Sequence, residues 1–122
     1  MATEVKNGSA VVYGYKGDSD SDRAIADYSK AIEIDPKDAA AFASRAMAYF
    51  TAGKPAQGLP DVEKSLELRP DYPEALDTRG LIFEALGRKQ EAIADFRRAL
   101  AMAPNRQSSN DALKRLGALG TP

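Results

Sequence analysis

The 122-residue sequence contains no cysteine and no histidine. These two absences exclude disulfides and thiolate nucleophiles, and they remove the commonest zinc ligands and the commonest general base. A metal site would have to be built from carboxylates alone. Long apolar runs are also missing, because no segment approaches the roughly 20 residues that span a bilayer. The first eight residues lack the apolar core of a secretory signal, so the cytoplasm is the expected compartment.

The composition is that of a globular chain of about one domain, with 43% hydrophobic residues, 29% charged residues and a formal net charge of -1. Basic residues concentrate near the end of the chain, where residues 88–122 hold seven of the 17 lysines and arginines. This excess is too small for the dominant basic face that nucleic-acid binding requires. We therefore expect no nucleic-acid partner, and we expect no membrane partner.

Three prolines, Pro36, Pro70 and Pro104, recur at intervals of 34 residues and close similar phrases. The phrases are Ala-Ile-Glu-Ile-Asp-Pro, Ser-Leu-Glu-Leu-Arg-Pro and Ala-Leu-Ala-Met-Ala-Pro. A fixed period of this length indicates a stacked helical array, because one unit cannot bury its apolar face alone. The repeat directs the search for function toward a binding surface.

Apolar residues at helical spacing predict antiparallel helix pairs, and Gly53 and Gly87 are expected to end the first helix of two of them. Because proline inside a helix costs about 3 kcal/mol, we expect one helix to begin near Pro60, after a loop over 54–59. Ser21 or Asp20 is the expected cap of another helix, after a turn at 19–22. The predicted helices cover about 4–16 (frayed), 21–34, 39–52, 60–68, 73–87, 89–102 and 108–119.

The small and aromatic residues of these helices resemble the tetratricopeptide repeat family, whose pattern alternates such residues over 34 positions. On first helices the small residues are Ala10, Ala46 and Gly80, and the aromatic residues are Tyr13, Tyr49 and Phe83. The phrases Ala-Ile-Ala-Asp-Tyr (24–28) and Ala-Ile-Ala-Asp-Phe (92–96) look like bacterial members. The resemblance implies an all-α, right-handed superhelix forming one domain over 1–122. Its predicted parts are repeats at about 3–38, 39–72 and 73–106 and a capping helix at about 108–119.

Charged residues that recur with the period are expected to belong to the scaffold. Arg45 and Arg79 occupy equivalent positions, as do Asp27, Asp61 and Asp95. A ligand-binding charge set is the alternative, but repetition at 34 residues favours arginine–aspartate pairs between helices. The expected result of Arg79→Ala is a lower melting temperature.

Residues that break the repeat are the candidates for a binding site. The resemblance places the first helices along a concave groove. It predicts an apolar floor that includes Met47, Phe50 and Leu81, and an acidic wall formed by Glu74, Asp77 and Glu84. An ordinary solvated helix face is the alternative interpretation of the wall. The full predicted groove comprises Asn7, Val11, Tyr15, Ala43, Met47, Phe50, Glu74, Asp77, Leu81 and Glu84, with Ser108, Asp111 and Arg115 at its end.

The resemblance implies a non-enzymatic module that binds a peptide or helix of a partner protein, without catalytic residues, cofactor or metal. Relatives that clamp the C-terminus of heat-shock chaperones place lysine, asparagine and arginine along the groove. The matching residues here are Asn7, Val11, Ser44, Glu74 and Thr78. Glu74 reverses the charge of the expected lysine, so we expect no chaperone clamp and a basic or apolar peptide rather than an acidic one. A self-associating structural unit, a homodimer or a part of a larger scaffold, is the alternative function.

Overall fold

The computed structural model describes residues 16–118, and these residues form six α-helices without a strand. The all-α architecture predicted from the periodicity is therefore confirmed. No helix in this described part of the chain is both long enough and apolar enough to cross a membrane. The helices are α1 (Lys16–Ile34), α2 (Ala39–Thr51), α3 (Pro55–Leu68), α4 (Pro73–Ala85), α5 (Lys89–Met102) and α6 (Gln107–Arg115).

Each helix packs against the next one along the chain, and α2 also contacts α4. The contact between α2 and α4 brings together the first helices of two successive pairs, as the 34-residue period requires. The helices thus form the predicted right-handed superhelix of antiparallel pairs. The predicted division into repeats at 3–38, 39–72 and 73–106 stays a prediction.

Glycines end the first helix of both complete pairs, as the sequence predicts. Gly53 and Gly87 follow α2 and α4 with φ angles of +79° and +78°, in the left-handed region that side chains with a Cβ atom avoid. Gly117 repeats this geometry after α6, with φ +72°. The turns at Gly53 and Gly87 reverse the chain tightly enough for α2 and α3, and likewise α4 and α5, to lie side by side.

Helix α3 begins at Pro55 and contains Pro60, so the predicted loop over 54–59 is wrong. Pro55 occupies the first turn, where a missing N–H costs nothing. Starting the helix there buries Gly58 against α2, in addition to Val62, which is fully buried. We attribute the tolerance of Pro60 to this packing, which outweighs the lost hydrogen bond.

The ends of the array differ from the predicted boundaries. Helix α1 begins at Lys16, so the turn expected at 19–22 is helical, and Ser21 lies inside the helix instead of capping it. Its hydroxyl lies 2.9 Å from the hydroxyl of Thr51, and this hydrogen bond joins α1 to α2. The capping helix ends at Arg115 rather than near 119. The frayed helix predicted at 4–16 lies almost entirely outside the described residues.

Two apolar clusters form the core. One lies between α2, α3 and α4 around Val62 and Ile82, and the other lies between α4, α5 and α6 around Phe96. A Cβ atom on Gly80 would lie 2.7 Å from the Phe96 ring, so the small residue is required for this close approach. This contact agrees with the interpretation of the small and aromatic positions as complementary.

Candidate functional site

A cleft of about 430 Å³ opens between α2, α4 and the start of α6. It contains six of the residues predicted for the groove and its end, and these residues come from three separate segments. The lining residues are Ala43, Ser44, Met47, Tyr72, Glu74, Asp77, Thr78, Leu81, Arg106 and Ser108.

A second, shallower cleft continues along the same helices. It is lined by Phe50, Leu81, Glu84, Ala85 and Arg115, so Leu81 belongs to both clefts. The predicted groove residues of the second and third units therefore lie along one continuous face. The residues predicted for the first unit, Asn7, Val11 and Tyr15, lie outside the described part of the chain.

The predicted apolar floor is only partly available to a ligand. Met47 and Leu81 are half-buried and line the clefts. Phe50 is also half-buried and lines the second cleft, but Phe50 and Leu81 both pack against the core clusters as well. Met47 is therefore the floor residue whose replacement disturbs the core least, because it is absent from both clusters.

The predicted acidic wall is not a row of free carboxylates. Asp77 is only 5% exposed and accepts hydrogen bonds from Arg106 Nε at 2.8 Å, from Ser109 Oγ at 2.6 Å and from Ser108 Oγ. Arg106 also lies 3.9 Å from a carboxylate oxygen of Glu74.

The last carboxylate of the wall is paired as well. Arg115 donates to both carboxylate oxygens of Glu84, at 2.8 and 2.6 Å. This hydrogen bonding raises the pKa of Arg115 above its ordinary value. Both arginines come from the segment at α6, so the wall is a set of ion pairs between α4 and the capping helix.

The recurring arginines and aspartates form scaffold pairs, as their register predicts. Arg45 donates to both oxygens of Asp61 at 2.7 Å, and Arg79 donates to those of Asp95 at 2.8 and 2.9 Å. Hydrogen bonding to the carboxylate raises the pKa of both arginines. The equivalent Asp27 on α1 is exposed.

Two lining residues, Tyr72 and Arg106, were missed as groove residues. Both stand at the position that precedes a first helix, and Asp38 occupies the same position one repeat earlier. Only Asp38 caps its helix with its side chain, by accepting from the Ala41 N–H. Burial raises the pKa of Tyr72, whose ring lies 4.3 Å from the Arg69 guanidinium. The change of residue type at this recurring position was the available signal.

No group of three or more aspartate or glutamate side chains within 16–118 is arranged to hold a metal ion. The clefts instead present half-buried apolar side chains beside paired charges and hydroxyl groups. That combination suits an extended peptide, whose side chains and backbone need both kinds of contact.

Solved structures of similar fold come from several proteins. The NMR structure of the first TPR domain of human RPAP3 has a TM-score of 0.78 and 30% identity, covering 81% of this chain and 78% of that chain. The first TPR of Spaghetti (RPAP3), bound to HSP90 peptide SRMEEVD, has a TM-score of 0.77 and 30% identity, covering 81% and 79%. The second TPR domain of human RPAP3, in complex with HSP70 peptide SGPTIEEVD, has a TM-score of 0.75 and 29% identity, covering 81% and 82%.

These two complexes contradict the expected partner chemistry. Both bound peptides end in Glu-Glu-Val-Asp and are acidic, whereas the sequence led us to expect basic or apolar peptides and no chaperone clamp. The expectation was wrong because it counted the α4 carboxylates as free charges. In the structure, Arg106 and Arg115 pair with them, and so the repulsion assumed for an acidic peptide is largely offset.

Family models match most of the described chain. One described as tetratricopeptide repeat matches residues 43–107, and one described as TPR repeat matches residues 20–53. No curated protein sequence matched the chain. In all, 65 solved chains match the structure. The chain belongs to the tetratricopeptide repeat family of protein-interaction modules.

Proposed function

We propose that the groove formed by α2, α4 and α6 binds an extended peptide of a partner protein. The observation that carries this proposal is the cleft of about 430 Å³, in which apolar and polar side chains lie side by side on the first helices of two units. The peptides bound by the two related domains supply the chemical class: short, acidic segments that end in Glu-Glu-Val-Asp.

The cleft divides into an apolar part and a polar part. Met47, Leu81 and the ring of Tyr72 provide a surface for one apolar side chain, such as the valine near the end of both known peptides. Ser44 and Arg106 lie at the polar part, where N–H and O–H groups can donate to peptide carbonyl or carboxylate oxygens. Burial of the apolar side chain supplies affinity, and the polar contacts fix the direction of the peptide.

Fluorescence polarisation with labelled SRMEEVD and SGPTIEEVD tests the proposal directly. Met47→Gln removes apolar contact in the cleft without adding charge, and it should weaken binding by about five-fold or more, equivalent to about 1 kcal/mol. Leu86→Gln is the matched control, because Leu86 is an exposed apolar residue outside both clefts, with 37% of its surface accessible. Its affinity should remain that of the wild type.

The results that contradict the proposal are specific. If neither peptide binds, the assignment of this peptide class is wrong. Equal losses of peptide affinity in Met47→Gln and Leu86→Gln would mean either that the peptide binds elsewhere or that both substitutions disturb folding. Circular dichroism of the two variants distinguishes these two explanations. The repeat phrases also predict a bacterial origin, and identification of the source organism tests that prediction.

A further inference from the structure

Helix α6 completes the groove as well as the core. On one side it buries Ala112 and Leu113 against Phe83, Ile93 and Phe96. On the other side, Arg106 and Ser108 at its start line the cleft of about 430 Å³, called the main cleft from here on. Arg115 at its end lines the second, shallower cleft. The capping helix is thus a wall of the proposed binding site.

Five side-chain hydrogen bonds attach the segment 106–115 to carboxylates of α4. Three of them converge on Asp77, from Arg106, Ser108 and Ser109, and two join Arg115 to Glu84. Arg106, the residue that precedes α6, provides no side-chain cap for the helix. The Asp77 carboxylate lies beside the first turn of α6, where the helix dipole favours negative charge.

The charge of the groove consequently depends on α6. Helix α4 alone would present three carboxylates, Glu74, Asp77 and Glu84, to any peptide lying along it. With α6 in place, two guanidinium groups lie within 4 Å of these carboxylates. Because paired charges of opposite sign largely cancel beyond a Debye length, an approaching peptide meets a weaker negative field.

We propose that α6, together with the residue that precedes it, determines the specificity of the groove, because Arg106 and Arg115 allow an acidic peptide to bind along α4. This inference rests on the proposed function, since it concerns which peptides that same groove accepts. Arg106 acts inside the main cleft, and Arg115 acts at the second one. Loss of either guanidinium shifts the preference of the groove from acidic toward basic peptides.

The first test measures peptide preference. Polarisation assays compare SRMEEVD with the charge-reversed, C-terminally amidated peptide SRMKKVK for the wild type, Arg106→Gln and Arg115→Gln. Each variant should lose up to about five-fold in affinity for the acidic peptide and gain affinity for the basic one. Arg88→Gln is the matched control, because Arg88 makes the same two-bond pair with Glu91 outside both clefts. It should change neither affinity.

The second test measures the charge of the groove without a peptide. Because the chain contains no cysteine, Ser44→Cys places a single thiol at the main cleft. Its reaction rates with an anionic and a cationic methanethiosulfonate reagent give a ratio that reports the local potential. Adding Arg106→Gln should shift the ratio several-fold toward the cationic reagent, and adding Arg88→Gln should leave it unchanged.

The two tests separate failure of the inference from failure of the proposed function. If the wild type binds peptide but Arg106→Gln and Arg115→Gln keep its preference, α6 does not determine specificity and the inference is overturned. If no peptide binds, the proposed function fails, and the inference that rests on it fails with it. Where peptide binds, an unchanged reagent ratio in Arg106→Gln would overturn the inference, and the expected shift would support it.

Discussion

Replacement of Gly58 by alanine is the sharpest test of how α2 and α3 pack. Gly58 is buried on α3, and a Cβ atom there would lie 2.8 Å from the backbone oxygen of Ala46 and 3.1 Å from Ile82 Cδ1. Real Cβ atoms almost never approach another atom more closely than 3.0 Å. The oxygen belongs to the backbone of α2 and cannot rotate away, so the two helices must separate.

Two opposing terms set the magnitude. Alanine is favoured over glycine inside a helix by about 1 kcal/mol, which would stabilise the variant. Overpacking of a core costs about 1–3 kcal/mol, and a backbone oxygen as the opposing atom places this site at the upper end. We therefore expect Gly58→Ala to lower the free energy of unfolding by about 1–2 kcal/mol, and the melting temperature by about 4 °C or more.

Urea unfolding followed by far-UV circular dichroism measures this difference. Ala94→Gly provides the calibration, because Ala94 is exposed on α5 and its replacement changes helix propensity without creating a clash. It should cost about 1 kcal/mol. If Gly58→Ala proves as stable as the wild type or more stable, the close approach of α2 and α3 is not a constraint and the explanation of the small positions fails.

Three further predictions concern packing and charge. Gly80→Ala should lower the free energy of unfolding by about 1 kcal/mol, because the added Cβ atom meets the Phe96 ring. Phe96→Leu should relieve part of that loss in the double variant. If urea unfolding shows that the effects of the two substitutions simply add, the contact is contradicted. Arg79→Ala should cost about 2 kcal/mol, because it leaves the 7%-exposed Asp95 side chain without its partner, and an unchanged melting temperature would refute a scaffold role. The hydrogen bond from Arg88 lowers the pKa of Glu91 in the folded protein. The pair therefore stabilises the fold at pH values above the unfolded-state pKa of Glu91, and this stabilisation is lost as the pH falls through the folded-state pKa. NMR titration should show the folded-state pKa of Glu91 rising in Arg88→Gln.

The repeating part of the fold could be predicted from the sequence because its signals are local. Gly53 and Gly87 end helices through their own backbone freedom, and the apolar spacing of residues 73–102 requires only helical geometry. Likewise, Arg45 and Arg79 were assigned to the scaffold because they recur with Asp61 and Asp95 at one fixed separation. The helix ends depend on residues within one repeat, and the scaffold assignment depends on the 34-residue recurrence, which is visible in the sequence itself.

The errors arose where packing between helices overrides local preference. Pro60 argued for a late start of α3, but the burial of Gly58 against α2 favours a helix that begins at Pro55. Ser21 resembles a cap in the sequence, yet α1 extends past it to Lys16 and its hydroxyl bonds to Thr51 instead. In both cases the deciding contact lies on another helix.

The sequence by itself determined the helix pairs and the glycine turns, because a 34-residue period and local backbone preferences are sufficient for these. The face of the proposed groove came from the resemblance to the tetratricopeptide repeat. Only the tertiary structure decided the electrostatics of that groove. The partners of Asp77 and Glu84 lie 29 to 32 residues further along the chain, on a helix that does not repeat the earlier units. Whether a carboxylate is a free charge or half of an ion pair depends on distances of a few ångströms, and these arise only when α6 folds back against α4.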